Sequence, residues 1–402
     1  MRVVVVAEYY PSARSPALGI WAHRQAMAAR DAGAEIRVLV LRTLSPSRAE
    51  LAEHGVAASV GRMLREPLTE IRDGVRIERV PFPGLPRPLA YGAWGASAAP
   101  FLSVALRRLR REFPYDLVHA HYAAPAGDAA RRAERAVPLV VSVHGGDVLG
   151  VVQRWPRLGG TAVRRTLATA DLVLANSSGI AARCRALGAR RPEVLHLGTD
   201  VPATVAVPPR EPRLVTVGNL VARKRHADVL DAMVRLRGSH PALRWSVVGD
   251  GPERAPLAAR AAELGLADRV EFHGALEPDA ALGVARAATL FVLPSVDEAF
   301  GVAYIEAMAA GVPAIGVRGE PGPEEIAASG GGLRLVEPED PAGLAAELDR
   351  LLRDAALRAD LGVQARATVQ AAFTWERCGR ATIAAYERAL AGAVPGPGRE
   401  PA

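Results

Sequence analysis

Two glutamates, Glu298 and Glu306, flank a glycine-opened stretch in the run Ser295-Val-Asp-Glu298-Ala-Phe300-Gly301-Val302-Ala-Tyr-Ile-Glu306-Ala-Met-Ala-Ala-Gly311-Val-Pro313. The pattern reads as a buried strand ending at Leu293, a loop, and a helix opened by Phe300-Gly301. Gly311 stops that helix and Pro313 lies just beyond. The first N–H groups of a helix have no partner inside it and sit at its positive dipole end, so Phe300, Gly301 and Val302 can hold a diphosphate. Glu298, in the loop ahead, would lie near a group attached to that diphosphate. Glu306, about one turn in, could accept hydrogen bonds from ribose hydroxyls.

Lys224 is the second chemical signal. Lysine and arginine together number 50, and Lys224 is the single lysine among them. Keeping one compact ammonium in a chain that otherwise uses guanidinium points to a place among phosphate oxygens. It lies in Gly218-Asn219-Leu220-Val-Ala-Arg223-Lys224-Arg225, directly after an apolar run. In the first half, His144 closes the apolar run Val141-Ser-Val-His144-Gly-Gly-Asp147, and His119 and His121 form His-Ala-His at the end of another. His119, His121, His144 and Asp147 could be read as metal ligands. The plainer reading makes the histidines strand-end residues lining a cleft, with no metal. Gly19, in Leu18-Gly-Ile-Trp-Ala-His-Arg-Gln25, would let the backbone come close to phosphates.

These residues must be carried by alternating strands and helices. Short apolar runs at Arg2–Ala7, Ile36–Leu41, Asp116–Ala120, Pro138–Val143, Asp171–Ala175 and Glu193–Leu197 alternate with Ala/Leu/Arg-rich helical stretches. A second set follows at Arg213–Gly218, Trp245–Gly249, Val270–His273, Thr289–Leu293 and Ala314–Val317. Apolar strands between helices imply parallel sheets covered on both faces. The fold class expected is therefore α/β, with two Rossmann-like doubly wound domains facing each other across a cleft that holds the chemistry. Thr199–Pro212 has four prolines and no period, which marks a linker. The division predicted is 1–200 as an acceptor domain, a linker at 201–212, and 213–375 as the donor domain, with a helix near 376–390 packing back on the first domain and a disordered tail over 391–402. Neither first strand is followed by G-x-G-x-x-G, which argues against a nicotinamide or flavin enzyme.

Composition narrows the class further. Half of the 402 residues are hydrophobic and 23% are charged, as in a globular protein. The net charge of +7 comes from arginines spread along the chain, so it reads as compositional bias rather than a nucleic-acid surface. No secretory leader is apparent, and Cys184 and Cys378 are far apart, which fits a cytoplasmic protein without disulfides. Pro88–Leu106 is 19 residues without a charge, followed by Arg-Arg-Leu-Arg-Arg. It reads as an Ala-rich helix on the first sheet; the alternative is an interfacial helix resting on the inner face of a membrane.

With these motifs together, the chain resembles the retaining glycosyltransferases of family 4 over nearly its whole length. That family has the two-Rossmann architecture called GT-B and carries the E-x7-E motif. The resemblance implies transfer of a sugar from a nucleotide-sugar donor to an acceptor of unknown kind, as in bacterial surface polysaccharide or glycan synthesis. It implies that Glu298 lies by the donor sugar and Glu306 by the ribose, and that Lys224 binds the donor phosphates. It further implies that His144 faces the sugar from the first domain, with Gly19 and Leu276 near the donor and no metal or other cofactor. Val248-Gly-Asp-Gly-Pro252 and Phe272-His-Gly-Ala-Leu276 also match and would lie near the nucleobase. Asn219 stands where the family has arginine and Arg225 where it has glycine, leaving the diphosphate one positive charge short unless Arg223 or Arg225 supplies it. Two other readings stay open: a sugar-nucleotide epimerase of the same fold, and a silent nucleotide-sugar-binding partner subunit.

Overall fold

The computed structural model describes residues 1–12, 15–46, 48–65, 67–205 and 209–392, without the side chains of 48–50, 60, 62, 64, 88 and 89. The chain forms two compact units, Met1–His196 completed by residues 378–392, and Leu197–Arg377.

The first unit is built on eight strands. They are β1 (Arg2–Ala7), β2 (Glu35–Thr43), β3 (Thr69–Arg72), β4 (Val75–Phe82), β5 (Leu117–His121), β6 (Leu139–Val143), β7 (Leu172–Ala175) and β8 (Pro192–Val194). Their order is β3-β4-β2-β1-β5-β6-β7-β8. Val3 to Ala7 of β1 are fully buried because β1 pairs in parallel with both β2 and β5, leaving no edge or face to solvent. Direction reverses between β1 and β5, which makes that crevice the switch point where ligands of such sheets bind.

Three strands escaped the sequence reading. β3 and β4 form an antiparallel hairpin around Asp73-Gly74, so the first sheet is not wholly parallel. Both turn residues have positive φ, 49° and 77°, the conformation for which Asp-Gly is the usual sequence. In the second unit β14 (Leu333–Val336) was likewise missed. It is only four residues long and pairs at one edge of the sheet. The expected strand Glu193–Leu197 is shorter and earlier, as β8.

The remaining strands of the second unit are β9 (Arg213–Val217), β10 (Arg244–Val248), β11 (Val270–Gly274), β12 (Leu290–Val292) and β13 (Ala314–Val317). The order β11-β10-β9-β12-β13-β14 is all parallel and reverses between β9 and β12. Leu214, Trp245, Val247, Leu290, Val292 and Ile315 form its core with Met233, Leu236 and Leu348 from covering helices. Residues 199–205 and 209–212, read as a linker, lie at the start of this unit.

The final helix, Trp375–Gly392, buries Cys378, Gly379, Thr382, Ala385, Tyr386 and Ala389, a stripe at helical spacing. It lies on the first unit, where Gln25 donates to Thr382 at 3.2 Å and Arg388 pairs with Glu193 at 2.6 Å. Ala391 and Gly392 close this helix; the rest of the tail read as disordered, 393–402, is outside the described residues. The uncharged stretch near 88–106 becomes the helices Arg87–Ala90 and Trp94–Glu112 with a short turn of helix between. The longer helix buries Trp94, Ala98, Leu102, Leu106 and Leu109 and turns Phe101 and Val104 outward. Among the described residues no helix is long and apolar enough to cross a membrane.

Candidate active site

Lys224 and Glu298 meet at the switch point of the second sheet. Lys224 sits in a helical turn, Ala222–Lys224, soon after β9, and Glu298 in the loop after β12. The two adjacent strand ends bring together side chains 74 positions apart, and the Lys224 ammonium donates to the Glu298 carboxylate. Both residues are buried. Ser295 Oγ donates to the same oxygen at 2.8 Å, and Arg223 Nη1 stands 3.8 Å from it. Burial opposes ionisation of Glu298, but Lys224, Arg223 and Ser295 outweigh it and hold the carboxyl below its ordinary value. A charged pair of this kind is an expensive thing to bury, which points to use rather than stability.

The loop is fixed by backbone contacts. Val296 N–H donates to Arg223 O at 2.9 Å, and Arg223 Nη1 to Asp297 O at 3.2 Å. The helix begins at Val302, and Gly301 is its N-terminal cap at φ 89°. A Cβ on Gly301 would lie 2.4 Å from the Tyr304 ring, so both space and conformation demand glycine there. Phe300 is buried against Phe373 at 5.7 Å, while Val302 and Glu306 are partly exposed. Leu276, partly exposed, follows β11. The Gly218 and Gly249 loops are joined by Leu220 N–H to Asp250 O at 2.9 Å.

The structure separates the two arginines read as replacing the charge missing at Asn219. Arg225 is engaged by Asp228 at 3.0 Å and by Glu339 at 3.2 Å. Arg223 is the one beside Glu298.

In the first unit His144 follows β6, and His121 Nδ1 is 3.0 Å from His144 Nε2 with an interplanar angle of 9°. His119 is held by Tyr386 Oη and Ser142 Oγ, each at 2.8 Å. His121 Nε2 and His144 Nδ1 are buried without a partner among the described residues. Asp147 accepts from the N–H groups of Ala123, His144 and Val148. Among the described residues no His/Cys/Asp/Glu group is arranged to hold a metal ion. Gly19, at φ 73°, caps the helix Ile20–Asp31, and a Cβ there would meet the Tyr9 carbonyl at 2.3 Å. Packing alone accounts for glycine at this position.

Comparison with known proteins fits this geometry. Residues 200–368 match the family model Glycosyl transferases group 1, and residues 18–202 match Glycosyltransferase Family 4. The D-inositol 3-phosphate glycosyltransferase of Nocardia farcinica is 30% identical over 90% of this chain and 86% of its own. The chain belongs to the family 4 glycosyltransferases. Solved structures share the GT-B fold at lower identity. A sucrose-phosphate synthase from Thermosynechococcus elongatus superposes with a TM-score of 0.76 at 21% identity, over 98% of this chain and 100% of that one. Anabaena HepE, solved in complex with UDP and glucose, gives 0.70 at 18%, over 96% and 99%.

One site residue of this glycosyltransferase gave no sequence signal. Glu320, in the loop after β13, accepts the N–H groups of Asp297 at 3.0 Å and Glu298 at 2.8 Å, one on each carboxylate oxygen. It sets the backbone from which Glu298 projects. Its motif Arg-Gly-Glu-Pro-Gly has no periodicity or spacing that would distinguish it from any strand-end loop.

The histidine cluster should make the glycosyltransferase sensitive to acid. Burial lowers His119 and His144 to about 3, and burial with the neighbouring histidines takes His121 well below its ordinary value. All three stay neutral in the fold while the unfolded chain takes up protons below pH 6.5, so their contribution is complete above that pH and shrinks as pH falls. Each costs about 1.4 kcal/mol per pH unit in that window. Burial raises Asp147 to about 6, which works the other way between pH 6 and its ordinary value and offsets one of the three. The thermal midpoint should therefore fall steadily from pH 6.5 to 5. A midpoint that stays level in scanning fluorimetry across that range would contradict neutral burial of the histidines.

Proposed function

We propose that this glycosyltransferase takes its sugar from a nucleoside diphosphate sugar, retains the anomeric configuration and uses no metal ion. The observation that carries the reading is the buried Lys224–Glu298 pair beside the start of the helix Val302–Ala309. Lys224, Arg223 and the N–H groups at Gly301 supply positive charge to a leaving diphosphate, the work a divalent ion does elsewhere. Glu298 steadies positive charge growing on the sugar ring, Glu306 holds the ribose, and His144 positions the sugar. In the transfer, the acceptor oxygen bonds to the anomeric carbon on the face the diphosphate leaves. The carbon–oxygen bond to the diphosphate breaks, and the acceptor proton passes to the diphosphate. No side chain forms a covalent intermediate. The complex of HepE with UDP and glucose supports a uridine diphosphate sugar as the first donor to try. We place the enzyme in the cytoplasm, in the synthesis of bacterial surface glycans.

The test is a thermal-shift and turnover series with UDP-, GDP- and ADP-sugars in excess EDTA. One donor should raise the midpoint progressively with concentration. Diphosphate release on adding acceptor should keep its rate in EDTA, and the product should have the donor's anomeric configuration. Loss of turnover in EDTA with recovery in Mn²⁺ would sink the metal-free assignment.

A further inference from the structure

At the switch point of the first sheet, beyond the ends of β1 and β5, lies a cavity of about 330 Å³. Its walls include Tyr9, Tyr91, Tyr122 and Trp155 with Arg87 and Arg154. The rings form a continuous lining: Tyr9 lies 5.1 Å from Tyr122, and Tyr91 lies 5.1 Å from Trp155. Arg87 is part of a fixed frame. It pairs with Glu8 at 3.0 Å, Tyr91 Oη donates to the same carboxylate at 2.5 Å, and its guanidinium lies 5.0 and 4.3 Å from the Tyr9 and Tyr91 rings.

Arg154 differs from Arg87. It is exposed, makes no ion pair among the described residues, and lies beside the Trp155 ring at 5.5 Å. The cavity is thus aromatic on its sides and, among the described residues, carries Arg154 without an ion-pair partner. Tyr122 gives an independent sign of use. It holds φ at 77°, a conformation costly for an aromatic residue, and strain of this kind gathers where a ligand is gripped. Its ring lies 5.5 Å from His144, so the cavity adjoins the histidine assigned to the reaction.

We propose that this cavity binds the acceptor, and that the acceptor is a single hydroxylated ring, sugar or cyclitol, bearing an anionic group. This rests on the reading above, that the enzyme transfers a sugar to an acceptor hydroxyl. The volume is at the small end of the roughly 300–1,000 Å³ of small-molecule sites and matches one ring. The C–H face of such a ring packs on the tyrosine and tryptophan faces. Its phosphate or carboxylate meets the Arg154 guanidinium, which presents a planar fork of donors to either anion.

Ligand-observed NMR titration of the full-length protein tests this. The probes are glucose 6-phosphate, glucuronate and a myo-inositol monophosphate, each against its neutral counterpart, glucose or myo-inositol. At least one anionic ring should bind ten-fold or more tightly than its neutral counterpart, and the phosphate and carboxylate arms identify which anion is preferred. Arg154→Gln should bring that ratio to within about three-fold while the neutral ring binds as before, because the lost interaction is electrostatic. The midpoint shift given by the nucleotide sugar should be unchanged in Arg154→Gln, so a failure of the donor reading shows separately, in the wild-type protein. Equal binding of charged and neutral rings, or a charge preference that survives Arg154→Gln, would overturn the proposal.

Discussion

Glu298→Gln is expected to lower kcat by roughly 10²–10³-fold, the usual effect of deleting one preorganised electrostatic partner of a transition state. The substitution keeps the size of the side chain and an oxygen that can accept from Lys224 and Ser295, so the loop should keep its shape. The negative charge is what disappears. That charge engages Lys224, so its removal frees the ammonium for the donor diphosphate. Donor affinity should therefore hold within about three-fold or improve, and the loss should fall on kcat rather than on KM. Steady-state kinetics with a donor titration by fluorimetry separate the two. A variant that turns over at the wild-type rate would remove Glu298 from the chemistry.

Lys224→Ala should damage binding and turnover together. In the proposed role the ammonium contacts phosphate before and during departure of the diphosphate, so donor affinity should fall about ten-fold and kcat/KM by roughly 10²-fold or more. Stability must be followed as well. Removing one member of a buried ion pair costs about 3–5 kcal/mol when the other charge is stranded, and here Arg223 at 3.8 Å relieves part of that cost. The double variant Lys224→Ala/Glu298→Gln distinguishes the two effects. It strands no charge, so its thermal midpoint should recover toward wild type while donor binding stays weak. Recovery of donor affinity along with the midpoint would show that Lys224 serves the fold and not the donor.

The sequence showed some of this site clearly and hid the rest for physical reasons. Lys224 was visible because its residue type is unique in the chain, and Glu298 because a strand, a loop and a glycine-opened helix surround it. That the two are hydrogen-bonded was not visible. Contact between residues 74 apart depends on β9 lying beside β12, an order set by the sheet and not by local pattern. The hairpin Thr69–Phe82 was missed although Asp73-Gly74 announces it, because β3 is an edge strand whose Glu70 and Arg72 are partly buried and whose Ile71 is 77% exposed. Such a strand lacks the apolar run that marked the others. The aromatic cavity was out of reach altogether: Tyr9, Arg87, Tyr122 and Trp155 come from four segments that converge only when β1, β5 and β6 pair.

The final helix has a consequence for the order of events during synthesis. The second unit is one uninterrupted stretch, Leu197–Arg377, and every residue it needs has been made before the last helix is complete. The first unit begins earlier and finishes later. Its sheet emerges first, yet the stripe from Cys378 to Ala389 that covers Gln25 and fastens His119 through Tyr386 is translated only after the second unit. On the ribosome the older half therefore waits, with one apolar face uncovered, through translation of the younger half. Termination between codons 378 and 389 would release a chain whose second unit is whole and whose first lacks part of that stripe, the kind of exposed surface that chaperones and proteases recognise.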